Sequence, residues 1–192
     1  MKKILNSLLL ILLILFIFNI TYYFYNKYSS IKTYTISSPV SYDDNPKYIN
    51  EDIIGNISIP NLNIDLPLVQ GLDNEFYLNH DYNKNNNKFG AIFLDYQSDL
   101  NRESTSIIYG HSSKIYTLPF NNLKKYLDES YRNANKYIYI NYLGTNYTYK
   151  LVDAYSSSKL AKITKKGYYL ALQTCNQEEL NKFIYIIYEK MF

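Results

Sequence analysis

The chain has 192 residues, a formal net charge of +3, 24 tyrosines and no tryptophan. That charge is too small to argue for a nucleic-acid partner, and the length suits one domain plus an appendage. The single cysteine excludes an intramolecular disulfide, and the two histidines fall in no cluster of metal-ligand spacing, so no metal or other cofactor is expected. Abundant tyrosine leans the composition towards strands.

Met1-Lys2-Lys3 precedes an uncharged apolar run from Ile4 to about Phe24, whose only clearly polar members are Asn6, Ser7, Asn19 and Thr21. About 20 helical residues span a bilayer core, and the two lysines favour a cytoplasmic start. Tyr22, Tyr23 and Tyr25 stand where an interfacial aromatic belt would lie. A cleaved signal peptide is the competing reading, but bulky Tyr and Phe follow the run in place of a small-x-small cleavage site. Residues 1–25 are therefore read as an uncleaved, single-pass anchor in the cell membrane, with the remaining chain extracellular. Residues 26–52, with Ser37, Ser38, Pro39, Asp43, Asp44 and Pro46, read as a polar linker.

The domain over residues 53–192 reads as mainly β. Gly55 to Ile59 and Leu62 to Leu66 alternate in polarity around the turn residues Pro60-Asn61. Gly71 to Leu78 reads as a loop entering a short helix, with Asp73 as its cap. Strands are expected at Gly90–Asp95 and Ser106–Tyr109, and a short helix at Leu118–Tyr126. Tyr137–Tyr142 and Thr145–Val152 flank Leu143-Gly144 as a hairpin. Residues 156–167 form a short polar connection. Tyr168–Cys175 and Phe183–Tyr188 are the last two strands. Strands at short spacing with few helices imply a closed or nearly closed, antiparallel-rich barrel.

The strand that ends in Cys175 is the centre of the chemistry. Side chains alternate along a strand, so Leu170, Leu172 and Thr174 share one face, and Tyr169, Ala171, Gln173 and Cys175 the other. His111 ends an apolar strand in the same way, just after Gly110. An imidazole beside a thiol can accept its proton and later protonate a leaving amine. Acyl transfer also needs a donor for the oxyanion, and Lys182, at the start of the last strand, is the best-placed cation. Each has a plainer alternative: a small buried hydrophobe, a satisfied strand-end histidine and an exposed lysine. His80, in a polar loop, reads as solvated.

Two stretches in order, Ile108-Tyr109-Gly110-His111 and Leu172-Gln173-Thr174-Cys175, resemble the catalytic-histidine and cysteine motifs of the sortases. The run Leu66–Leu78, followed by Gly90–Asp95, is most similar to class B members. The resemblance covers residues 53–192. It implies an eight-stranded sortase barrel and a membrane-anchored cysteine transpeptidase. Its partners would be the C-terminal sorting-signal peptide of surface proteins and the amine of a peptidoglycan precursor. Cys175 would be the nucleophile and His111 the general acid/base. Three positions depart from the family: Ala171 replaces a threonine, Lys182 an arginine, and residues 156–167 are too short for the long helix that class B members carry there. The alternative is a degenerate, non-catalytic sortase-like surface module. A papain-like peptidase fits poorly, because there Cys precedes His.

Overall fold

The computed structural model describes residues 2–35, 50–161 and 166–192. The chain divides into two units, an N-terminal helix and a barrel domain.

Helix α1 (Lys2–Thr35) exposes its apolar side chains, Leu9 to Phe18 among them. Among the described residues no helix is long and apolar enough to cross a membrane. The described helix thus does not support the single-pass anchor expected over residues 1–25. It also passes Tyr25 and ends at Thr35, so the expected linker begins as helix. No proline or glycine between Asn26 and Thr35 interrupts it; the first proline is Pro39. The rest of that linker, residues 36–49, lies outside the described residues.

The domain is a closed barrel of eight strands: β1 (Ile53–Ile59), β2 (Ile64–Val69), β3 (Phe93–Leu94), β4 (Thr105–Tyr109), β5 (Tyr137–Tyr142), β6 (Thr145–Ser157), β7 (Tyr169–Cys175) and β8 (Phe183–Lys190). They neighbour one another in the order β1-β2-β3-β4-β7-β8-β6-β5, and β5 closes back on β1. Most pairs are antiparallel; β2–β3 and β4–β7 are parallel. The mainly β barrel is as expected. Pro60 opens a 3₁₀ turn between β1 and β2, and Asn63 takes φ 52° to leave it. The β5–β6 hairpin turns on Leu143 and Gly144, both at positive φ. Glycine relieves the second of these positions of the Cβ penalty.

Residues paired across strands share a face, so the register identifies the barrel interior. Ile108 pairs with Leu172, Leu172 with Ile186, and Leu170 with Tyr188, all of them buried. Burying one such aliphatic side chain contributes roughly 1.5–3 kcal/mol. The other face of β7 is also covered: Tyr169 and Ala171 pack with Tyr185 and Ile187, and Tyr155, Leu160 and Phe183 lie against them. Burial of both faces makes β7 a rigid platform for whatever stands at its end.

Three elements differ from the sequence expectation. The Gly90–Asp95 strand shrinks to Phe93–Leu94, because Gly90 turns at φ 61° and the Ala91 N–H is tied to the Tyr77 carbonyl (2.9 Å). The short helix is a 3₁₀ segment, Pro119–Leu127. It is followed by α2 (Glu129–Ala134), capped where Asp128 Oδ1 accepts from the Tyr131 N–H at 2.8 Å. Between β6 and β7 there is no helix among the described residues, in line with the short connection. His80 is partly buried instead of solvated: its ring stacks on Phe76 at 4.0 Å, and Nδ1 lies 2.8 Å from the Phe76 carbonyl.

Candidate active site

The site is built where β4 and β7 end. In their parallel ladder Tyr109 pairs with Gln173, and the Gly110 N–H donates to the Gln173 carbonyl at 3.2 Å. His111 and Cys175 each stand two residues beyond that last pair, so the register carries them to adjacent strand ends. Gly110 is small for a packing reason: a Cβ there would meet the buried Phe120 ring at 2.5 Å. Phe120 thereby lies under the turn into His111.

His111 is held from the other side. Its Nε2 lies 2.9 Å from the Leu78 carbonyl. A carbonyl only accepts, so this bond puts the proton on Nε2 and leaves Nδ1 as the basic nitrogen of the neutral ring. The Leu78 carbonyl is itself well anchored. It ends the short 3₁₀ turn Phe76–Leu78, whose start is capped by Asp73 as the sequence suggested: Oδ1 accepts from the Glu75 and Phe76 N–H groups, both at 2.8 Å. Those two bonds hold the Asp73 carboxyl below its usual range, the Phe76 contact being the larger. Tyr77, fully buried, pins the turn by donating to Asp52 (2.7 Å) and accepting from Asn50 (2.6 Å).

Cys175 is exposed at the end of β7, opposite Phe183 on β8. Partial burial of its thiol by the surrounding chain pushes it up from the ordinary cysteine value. The His111 ring is bonded to the Leu78 carbonyl and not to the Cys175 thiol. Bonds between catalytic groups are commonly long before substrate binds and tighten afterwards. Ser112 Oγ donates to the Cys175 carbonyl at 2.6 Å, and Gln177 Nε2 donates to Ser112.

Lys182 closes the turn between β7 and β8. The Asn176 N–H donates to its carbonyl at 2.9 Å, and Asn181 takes φ 59° just before it. The Lys182 ammonium is paired with Glu179 and not with the thiol. Glu179 also accepts from Ser156 (3.1 Å) and Asn176 (3.0 Å). Its carboxyl is held below the ordinary range, chiefly by Lys182 and then by Ser156. The pair is exposed, and exposed pairs contribute little against water and salt. The structure thus brings His111 and Cys175 to one edge and places the Lys182 backbone beside them, with its charge turned away.

A cavity of about 420 Å³ opens beside Cys175, between the loop after His111 and the β7–β8 turn. Lys114, Lys124, Gln177 and Glu178 line it, and Lys124 pairs with Glu178 at 3.1 Å across it. Among the described residues no group of His, Cys, Asp and Glu could hold a metal ion. Ser112, Gln177 and the Leu78 carbonyl were not foreseen from the sequence. All three act through main-chain atoms or non-local contacts, which leave no local pattern.

A closed eight-stranded barrel with a histidine and a cysteine at the ends of two parallel neighbours, β4 and β7, is the arrangement the comparisons must account for. Residues 57–191 match the Sortase domain family, and the chain belongs to the sortase family. Its similarity within the family is to class B members. It is 30% identical to sortase B of Staphylococcus aureus over 137 residues, 71% of this chain and 53% of that protein. It is 32% identical to sortase B of Listeria monocytogenes over 111 residues, 57% of this chain and 45% of that protein. The matches thus span about half the length of these relatives. The X-ray structure of Clostridium perfringens sortase B superimposes with a TM-score of 0.68 at 28% identity, covering 76% of this chain and 97% of that one.

The thiol chemistry has a direct check. A raised thiol carries less thiolate at any given pH, so iodoacetamide should label Cys175 with a pH midpoint above the ~8.5 of a free cysteine. A midpoint below that value would mean that neighbouring positive charge outweighs burial.

Proposed function

We propose that this chain is a membrane-anchored cysteine transpeptidase. In this reading it cleaves the C-terminal sorting signal of surface proteins and transfers them through a thioester to the amine of a cell-wall precursor. The observation that carries it is the placement of Cys175 and His111 at the ends of adjacent parallel strands, in a member of the sortase family.

The chemistry follows from the groups present. Nδ1 of His111 takes the Cys175 proton as sulfur attacks the scissile carbonyl. The burial that raises the thiol makes this transfer necessary, since little thiolate exists beforehand. The carbonyl oxygen becomes an oxyanion, which Lys182 meets after leaving Glu179. Because that ion pair is exposed, a developing negative charge can compete for the ammonium. Lysine offers one point donor where a guanidinium would offer a fork, so the contact is monodentate. The C–N bond then breaks, and the leaving amine carries off the proton from the imidazolium. The acceptor amine attacks the thioester and gives a proton back to His111. Collapse of that intermediate expels the sulfur and regenerates the thiol.

The uncharged run from Ile4 to Phe24 behind Lys2 and Lys3 supports a membrane anchor with the N-terminus cytoplasmic and the domain outside. The second reading is a non-catalytic sortase-like surface module. Lys182 in place of arginine, with its ammonium on Glu179, favours it.

The test uses the full chain in detergent, with LPxTG-like and NPxTN-like peptides and hydroxylamine as the acceptor. Mass spectrometry should find a cleaved hydroxamate and an acyl adduct on Cys175, both absent in Cys175→Ala. Turnover that survives in Cys175→Ala contradicts the nucleophile assignment, and no product from the folded wild-type chain favours the non-catalytic module. Lys182→Ala should lower kcat by about 10²-fold, the scale for losing an oxyanion donor. An unchanged rate would leave Lys182 a surface residue.

A further inference from the structure

We propose that Ser112 and Gln177 form a positioning pair that sets the register of Cys175 against His111. The proposal rests on the acyl-transfer reading above. The main-chain ladder between β4 and β7 runs out at the bond from the Gly110 N–H to the Gln173 carbonyl. Rungs of a parallel ladder repeat every two residues, so the next acceptor in line is the Cys175 carbonyl and the next donor residue is Ser112. Ser112 meets that acceptor with its side chain: Oγ donates to the Cys175 carbonyl at 2.6 Å. The hydroxyl acts as one more rung, placed where neighbouring strand ends would otherwise separate.

Gln177 completes the unit. Its Nε2 donates to the Ser112 carbonyl at 2.9 Å and to Ser112 Oγ at 3.0 Å. An amide NH₂ group only donates, so it occupies the acceptor side of the hydroxyl and leaves the hydroxyl proton to point at Cys175. The three residues form a closed knot between the loop that carries the imidazole and the strand end that carries the thiol. His111 is thereby fixed twice, by Leu78 on its ring and by Ser112 on the adjoining backbone. Neither Ser112 nor Gln177 has a charge or a competent nucleophile, so both act through Cys175 and His111. Among the described residues, Lys114, Lys124 and Glu178 stand beside the cavity, and Glu179 and Lys182 stand in the turn.

The test compares the full chain with Ser112→Ala, Gln177→Ala and Ser112→Thr. One assay measures turnover of the peptide the wild-type chain cleaves; the other measures the pH midpoint of Cys175 alkylation, with His111→Ala as reference. Ser112→Ala and Gln177→Ala should each lower kcat about tenfold or more, because small misplacements of reacting groups cost rate steeply. KM for the signal peptide should stay within about twofold, as expected when only the chemical step is affected. Both variants should move the alkylation midpoint in the direction that His111→Ala moves it. Ser112→Thr, which keeps the hydroxyl, should restore both readouts. Wild-type kcat and midpoint in the two alanine variants overturn the proposal, and so does a lower Tm with an unmoved midpoint, because the pair then only supports the fold. The alkylation assay needs no peptide, so it decides the proposal even where no peptide is cleaved, an outcome that counts against the transpeptidase reading itself.

Discussion

The parallel pairing of β4 with β7 is the constraint on which the site depends. In an antiparallel pair the C-terminal ends of the two strands lie at opposite edges of the sheet, and a histidine and a cysteine at those ends could never meet. A parallel pair brings both ends to one edge, at the cost of a long crossover. Here the crossover is everything from Ser112 to Tyr168, including β5 and β6. A quarter of the barrel's strands, two of the eight, therefore serve, among other things, to return the chain in the right direction beside β4.

Once the two ends lie together, their remaining freedom is removed piece by piece. Burial of both faces of β7 fixes the strand that carries the thiol. The buried Tyr77 fixes the turn that offers the Leu78 carbonyl, and this carbonyl selects one tautomer of His111. The tight β7–β8 turn, with Asn181 in the left-handed region, brings the Lys182 backbone alongside Asn176. The ammonium of Lys182 is the one part left unset, held only by an exposed pair with Glu179. The shape of the edge and the His111 tautomer are thus built in, while the ammonium of Lys182 stays movable.

Much of this was legible in the sequence. The alternation of Tyr168–Cys175 identifies both faces of β7, and the partition of Thr174 inward and Cys175 outward follows from it. Leu143-Gly144 marks the hairpin and Asp73 the capped turn. The less legible parts have physical reasons. Strand pairing is non-local, so nothing in the local pattern says that β4 and β7 run parallel. The two-residue β3 is cut short by a bond from Ala91 to Tyr77, a contact invisible to periodicity. The 3₁₀ geometry of Pro119–Leu127 and the short α2 come from packing beneath the barrel and from the Asp128 cap. Lys182 was expected to face the thiol from its position alone, yet Glu179, three residues earlier in a tight turn, is the nearer anion.

If His111 takes the Cys175 proton across the β4–β7 edge, the thiol's reactivity must depend on the imidazole. The most direct measurement is the rate of Cys175 alkylation by iodoacetamide across pH in the full chain, repeated in His111→Ala. A shared proton predicts that removing the imidazole changes the pH–rate profile. Superimposable profiles for the two proteins would contradict it, and would leave the two residues as neighbours in register without a shared chemistry.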